Sequence, residues 1–289
     1  MRAFRVRVPA SSANLGAGFD TLGLALSLYL DLQVGSPGPH GSGGDGDGDG
    51  GNRDGPAWTS DEHHLAIRTF RAAGGDGPVA ARAQFAGGRG LGFSGAARVA
   101  GVFAAATQRG ASVDEARTEA ATRASELESH GDNASASALG GLVAVAGTHA
   151  VRVPVCLANA IVVWVPDTET STKTSRGLLP DTVPFADAVS NVGHAALFVA
   201  AMAAGDVGAL RTASEDHLHQ QRRLDRAPAS RAALLALEDA GAWCAWLSGS
   251  GPTVAALCAP DDAADLVAAL PPGGRGIVCS IDDEGVRVT

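Results

Sequence analysis

Polar and apolar positions alternate over the first eight residues. Phe4, Val6 and Val8 face one way and Arg5 and Arg7 the other, which predicts a strand over 3–8 with one buried face, stopped by Pro9. Residues 10–20 are small and glycine-punctuated and read as a loop, and the apolar residues 22–34 as a strand-turn-strand. The period then changes. Leu65, Ile67 and Phe70 mark a helix over about 61–73, closed by Gly74 and Gly75, and a strand is expected at 78–85. Ala96, Val99, Val102, Phe103 and Ala106 recur at helical spacing as far as Gly110. Ser112 and Glu115 form a capping box for a helix running to about Ser129. Glu126 and Glu128 fall at its C-terminal end, where the helix dipole disfavours carboxylates, so one of them asks for a cation partner.

The second half follows the same logic. Residues 130–141 read as a turn, a short helix of small residues and a glycine stop, followed by a hairpin over 143–154. The unbroken apolar run Ile161-Val-Val-Trp-Val165 predicts a strand over 160–165. Helices are expected over 183–204, 206–220, 229–240 and 261–270, and strands over 243–247, 254–258 and 276–280. Residues 35–57 are glycine and aspartate repeats with few apolar side chains to offset ordering, and read as an exposed, mobile loop. Asp45, Asp47 and Asp49 open like a calcium loop, but no glutamate stands at the twelfth position.

Composition narrows the function classes. The chain has 289 residues, 45% of them hydrophobic, enough for one large domain or two ordinary ones. A net charge of −9 disfavours nucleic acid or an anionic membrane surface as a partner. No apolar run is read as membrane-spanning, and no signal core opens the chain, so a cytoplasmic setting is expected. Cys156, Cys244, Cys258 and Cys279 are far apart, in apolar surroundings, and read as reduced, buried thiols rather than zinc ligands or disulfides. His217 and His219 read as surface residues, since no third ligand is near them in sequence.

The chemistry centres on Gly87-Gly-Arg-Gly-Leu-Gly-Phe-Ser-Gly-Ala-Ala97. A glycine-rich turn feeding a helix aims free N–H groups and the positive end of the helix dipole at one spot, an anion site suited to phosphate. A tightly packed helix start is the other reading. It is neither a P-loop nor a dinucleotide fingerprint, and Lys173 is the only lysine, which disfavours P-loop and protein kinases. Asn14 and Asp20 are the polar candidates of the first loop, either for a ligand or for an ordinary Asx turn. Polar residues 171–176 follow a core strand, and a Gly-Ser-Gly-Pro turn stands between two strands at 249–252.

Six stretches in order resemble the GHMP kinase superfamily, and within it the homoserine kinases. They are Pro9–Asp20, Gly90–Ala97, Glu128-Ser-His-Gly-Asp-Asn133, Ser171-Thr-x-x-x-Arg176, Asp216-x-Leu-His-x-x-x-Arg223 and Leu247–Thr253. The resemblance implies an α+β fold of two domains: an N-terminal one over 1–150, ribosomal protein S5 domain 2-like with a mixed sheet, and a ferredoxin-like one over 151–289. It implies ATP and Mg²⁺ as cofactors, L-homoserine as the small-molecule substrate and a possible homodimer. Gly87, Gly88, Arg89, Gly90, Leu91, Gly92, Phe93, Ser94, Gly95 and Ala96 would hold the nucleotide, and Ser94 and Glu128 the metal. Asn14 and Asp20 would take the substrate's amino end, Thr172, Arg176 and Arg223 its carboxylate, with Gly249 beside them. Asp132 and Asn133 would lie at the reacting hydroxyl, with Asp132 the candidate base. The alternatives are a related kinase for another small hydroxyl compound and a non-catalytic ligand-binding protein. This chain departs from the family pattern at Phe93 (usually serine), Gly95 (alanine) and Gly131 (proline), and carries His63 and His64 where an asparagine is often near the adenine.

Overall fold

The computed structural model describes residues 3–35, 56–128, 130–169 and 172–289. Its first strand, β1 (Phe4–Asn14), continues through Pro9 instead of stopping there. Pro9 lies at a register shift against the next strand, an irregularity at which a missing N–H breaks no regular ladder. The strand-turn-strand expected at 22–34 is one strand, β2 (Gly18–Val34). Its length is used piecewise: residues 30–34 pair with β3 (Val79–Ala83), and residues 22–24 with β4 (Leu142–Ala146). Between them α1 (Leu65–Ala72) starts later than expected, because His64 caps it by accepting from the Ala66 N–H at 3.3 Å. The reading of 36–55 lies outside the described residues.

Of the next three helices, α2 (Phe93–Gln108) packs on β1 and β2, α3 (Val113–Glu128) lies against α2, and α4 (Asp132–Leu139) packs on β1 and β2 and against α3. The capping box forms, Glu115 accepting from the Ser112 N–H at 2.9 Å. α2 is central and buries a run of alanines with Val99, Val102 and Phe103, so the helices approach closely. β5 (His149–Val153) completes the expected hairpin with β4. Every described pairing in the sheet is antiparallel, which corrects the mixed sheet of the first expectation.

Among the described residues the remaining α-helices and strands are β6 (Ala160–Pro166), α5 (Thr172–Arg176), α6 (Phe185–Ala204), α7 (Leu210–Ala213), α8 (Gln220–Leu224), α9 (Pro228–Asp239), β7 (Cys244–Leu247), β8 (Val254–Cys258), α10 (Ala263–Ala268), β9 (Gly274–Cys279) and β10 (Arg287–Val288). A second sheet has the order β7-β8-β6-β9. The alternation of β6 explains its continuous apolar run: Ile161 and Val163 join the main core, while Val162 and Trp164 pack with Leu234, Leu237 and Leu266 of α9 and α10. The boundary expected at residue 150 falls inside β5, and β10 returns to pair with β1, so the C-terminal segment belongs to the first sheet.

Two helix readings change. The helix expected over 206–220 breaks after α7, because the buried Asp216 carboxylate accepts from the N–H groups of Leu218 (3.2 Å), His219 (2.8 Å) and Gln220 (2.6 Å). α6, with 20 residues, is by length and composition apolar enough to cross a membrane, contrary to the sequence reading. Its inner residues Asn191, Phe198, Ala201 and Met202 are buried against the protein, while Phe185, Val189 and Val192 are exposed.

Candidate active site

The first, glycine-rich and last motif stretches, distant in sequence, meet at one cleft of about 420 Å³. The glycine loop is fixed from below by a directed chain of hydrogen bonds. Trp246 Nε1 donates to Ser12 Oγ at 2.9 Å, and Ser248 Oγ donates to the Gly90 carbonyl at 2.5 Å. With that proton committed, the 2.7 Å contact between the two hydroxyls runs from Ser12 to Ser248. Gly92 caps α2 at φ 65°, and a Cβ there would lie 2.0 Å from Ser11 Oγ and 2.7 Å from Asn133 Oδ1. Glycine is therefore required twice over, for conformation and for space. The loop and the first turn of α2 leave N–H groups without helical partners at the cleft wall formed by Gly87–Gly90 and Gly92–Ser94.

Not every loop residue serves that wall. Leu91 is buried, and its carbonyl accepts from Ser11 N–H at 3.2 Å. Gly95 packs α2 onto α4, where a Cβ would sit 3.1 Å from Ala134 N, and the Ala96 N–H already bonds Gly92 O at 2.9 Å. These three do not line the cleft. Arg89 does line it, but its guanidinium donates to the carbonyls of Pro166 and Thr168 at the end of β6, so it straps the loop to the second sheet. Phe93 sets its ring beside Gly87, where a Cβ would lie 3.4 Å from the ring, and edge-on to His64 (5.7 Å) and to Phe85 (6.1 Å). The three rings form an aromatic wall beside the phosphate loop.

The opposite wall carries charge. Arg176 Nη2 lies 2.7 Å from Asp20 Oδ1 in a half-exposed pair. Ser175 Oγ donates to the Ser250 carbonyl at 3.0 Å and thereby holds the short helix that presents Arg176. Arg223 is buried, donating to Gly249 O and His219 Nδ1, both at 3.1 Å. His219, expected at the surface, is 1% exposed. Its Nε2 donates to Gly16 O at 2.9 Å, which leaves Nδ1 as the acceptor and the ring neutral, in line with burial lowering its pKa. Burial first and neighbouring Arg176 second bring the Arg223 guanidinium down to about 10. Phe19 stacks on His219 at 4.9 Å and lies under both guanidinium groups. Asn14, at φ 74°, accepts from Asp20 N–H at 3.0 Å and donates to Gly249 O at 2.8 Å, so it braces the Asp20 turn.

Between the walls, at the start of α4, lies buried Asp132. Its Oδ1 accepts from the Asn133 N–H at 2.7 Å and from Asn133 Nδ2 at 3.1 Å, and lies 3.1 Å from His130 Nδ1. Asn133 Oδ1 accepts from Ser11 Oγ at 2.9 Å. Glu128 lines the cleft and is paired with Arg98, the cation partner its helix-end position asked for.

The predicted residues that line one cleft are thus Asn14, Asp20, Gly87–Gly90, Gly92–Ser94, Glu128, Asp132, Asn133, Arg176, Arg223 and Gly249. The side chain of Thr172 is outside those described. Sequence reasoning missed Arg98, Leu127, His130 and Ser250. His130 was legible, lying within the Glu128–Asn133 stretch, and Arg98 stands one helical turn after Ser94.

Comparison with known proteins gives one answer. Residues 198–271 match the family GHMP kinases C terminal. A homoserine kinase of Streptomyces coelicolor is 41% identical, over 93% of this chain and 88% of its own length. One from Thermus thermophilus is 35% identical, over 96% of both chains. The crystal structure of homoserine kinase from Cytophaga hutchinsonii superposes with a TM-score of 0.79 at 24% identity, over 100% of this chain and 98% of that one, and shares the fold. The two-sheet α+β architecture is that of the GHMP kinases, and the chain belongs to their homoserine kinase family.

Proposed function

We propose that this cleft transfers the γ-phosphoryl group of ATP to the side-chain hydroxyl of L-homoserine, forming O-phospho-L-homoserine for threonine biosynthesis. The observation that carries the reading is the Asp20–Arg176 pair beside buried Arg223, in the same cleft as the glycine loop. A carboxylate and two guanidinium groups side by side are the complement of an amino-acid zwitterion. The α-carboxylate would take Arg176 and Arg223, offsetting both the burial and, after it, the Arg176 repulsion that lower Arg223, and the α-ammonium would take Asp20. A half-exposed ion pair is weak, so exchanging it for substrate groups costs little.

With both ends of the amino acid held, its hydroxyl points towards the phosphate wall, and positioning supplies much of the catalysis. The hydroxyl oxygen bonds to the γ-phosphorus, the bond from that phosphorus to the β–γ bridging oxygen breaks, and ADP leaves. Asp132 is the group we assign to the departing hydroxyl proton. The Asn133 N–H and amide hold its carboxylate in place. The aromatic wall of His64, Phe85 and Phe93 suits a purine base.

Ser94 and Glu128 offer hard oxygen donors on one wall of the cleft, a set that fits Mg²⁺. An ion held by them would supply charge neutralisation for the phosphoryl transfer. Arg98 orients the Glu128 carboxylate. Glu128→Gln should lower turnover at limiting magnesium by at least ~10-fold with little loss of stability. Unchanged turnover there would leave Glu128 as a partner of Arg98 only.

The decisive assay measures ADP release with homoserine and with the amino alcohol that lacks its carboxylate. Homoserine should be preferred by at least ~10-fold, the value of one charge-assisted contact. Equal rates would remove the basis of the assignment.

A further inference from the structure

The structure assigns His194, Glu215 and His217 as a binding site for a divalent transition metal of the zinc type, on the outer side of the substrate half. His194 comes from α6, and Glu215 and His217 from the segment between α7 and α8. One ligand atom from each lies within 4.8 Å of the other two. Sequence reading set His217 aside for want of a third ligand; the fold brings two within reach. Two imidazoles and a carboxylate are a borderline donor set that suits zinc far better than magnesium.

Local contacts prepare these side chains. His194 Nδ1 lies 2.8 Å from the Glu215 carbonyl, to which it donates, leaving the Nε2 lone pair for a ligand bond. The rings of His194 and His217 stand 5.8 Å apart, tilted by 34°, with no hydrogen bond between them among those described. Asp187 Oδ1, on the same side of α6, is 3.9 Å from His217 Nδ1, within range of acting as a fourth ligand or as the acceptor that orients the ring. Among the described residues no arginine or lysine pairs with Glu215 or Asp187, so neither carboxylate is neutralised by a side-chain cation. The ligands are partly exposed, which leaves room for an ion and its water to arrive. Tetrahedral bonds of ~2.0–2.1 Å put the donor atoms about 3.3 Å apart, so atoms now up to 4.8 Å apart close by as much as about 1.5 Å, a movement of side-chain rotation.

The position gives the ion something to hold. Asn191, one turn before His194, donates to the Ala17 carbonyl at 2.6 Å and accepts from the His217 N–H at 3.1 Å. The same segment continues through Asp216 and His219 to Arg223. An ion across His194 and His217 therefore staples α6 to the strip of chain that supports the Gly16–Ala17 turn and the buried arginine.

The test is isothermal titration of the chelator-treated full chain with zinc chloride in excess magnesium, with thermal melting alongside. We expect one zinc per chain, a raised melting temperature, and a loss of at least ~10-fold in affinity in His194→Ala and in Glu215→Gln. Glu215→Gln keeps the side-chain shape, so its result stands even if His194→Ala is poorly folded. His130→Ala should still bind zinc, which excludes the other carboxylate-histidine group, Asp20, His130 and Asp132. Absence of zinc binding, or binding unchanged in both Glu215→Gln and His194→Ala, overturns the assignment. These readouts do not depend on the phosphoryl-transfer reading.

Discussion

The two walls of the cleft are built from different materials. The phosphate wall is backbone: glycines at Gly90 and Gly92, N–H groups of a first helical turn, and hydroxyls beneath that hold a carbonyl in place. The substrate wall is side chain: two arginines, an aspartate and a ring lying under the guanidinium groups. A backbone site recognises a group common to all nucleotides and tolerates changes of side chain provided the path of the chain is kept. A side-chain site recognises one arrangement of charges and depends on every element that presents one.

The sharpest way to break this contrast is to add one carbon to the phosphate wall. Gly92→Ala places a methyl group on Ser11 Oγ at a positive φ, combining overpacking and backbone strain of ~1–3 kcal/mol each. Activity should fall by at least ~100-fold with the loss expressed in ATP binding, measured by nucleotide titration. Unimpaired ATP binding would show that the loop does not hold the phosphates.

Arg223→Ala should have the next largest effect and act on the other substrate. Loss of a charge-assisted contact of ~1.5–3 kcal/mol predicts kcat/KM for homoserine down by ~10- to 100-fold. The KM for ATP should stay within about twofold, since the arginine and the glycine loop share no described contact. Equal damage to both substrates would mean that Arg223 supports the fold of the whole cleft.

The smallest effect is expected at Phe93. Its ring meets His64, Phe85 and Gly87 and carries no hydrogen-bonding atom, so Phe93→Ser removes aromatic and apolar contact but no backbone N–H. At ~0.5–1.5 kcal/mol the KM for ATP should rise by ~2- to 10-fold with kcat preserved. An ATP site that improves instead would place the ring in the path of the nucleotide.

The same division governs what could be read from the chain. The glycine loop, the Ser112–Glu115 cap and the strand at Ile161–Val165 are local patterns, and each forms as read. Even a cation partner for Glu126 or Glu128 was legible as a demand, though neither which carboxylate nor Arg98 was. The misreadings lie where a neighbour overrides a local signal. Pro9 looked like a stop, but a register shift accommodates it. The helix over 206–220 looked continuous, but the Asp216 carboxylate takes three N–H groups in succession. His219 looked exposed because its partner Gly16 is 203 positions away. Long-range placement of single polar side chains leaves no periodic trace, and the substrate wall is made of them.

The return of the last strand has a mechanical meaning. Val6 pairs with Val288 and Arg7 with Arg287, and the Thr289 N–H bonds the Arg5 carbonyl at 2.9 Å, so the outer ends of β1 and β10 emerge side by side. Tension applied to residues 4 and 289 would load this antiparallel pair like the two tabs of a zipper, one rung at a time, instead of shearing all rungs together. The Asp282 N–H bond to Ala25 O and the Val286 N–H bond to Ala138 O come under load next. Pulled from its ends, the molecule should therefore lose the clasp that joins its last residues to the first sheet at low force, well before either sheet tears.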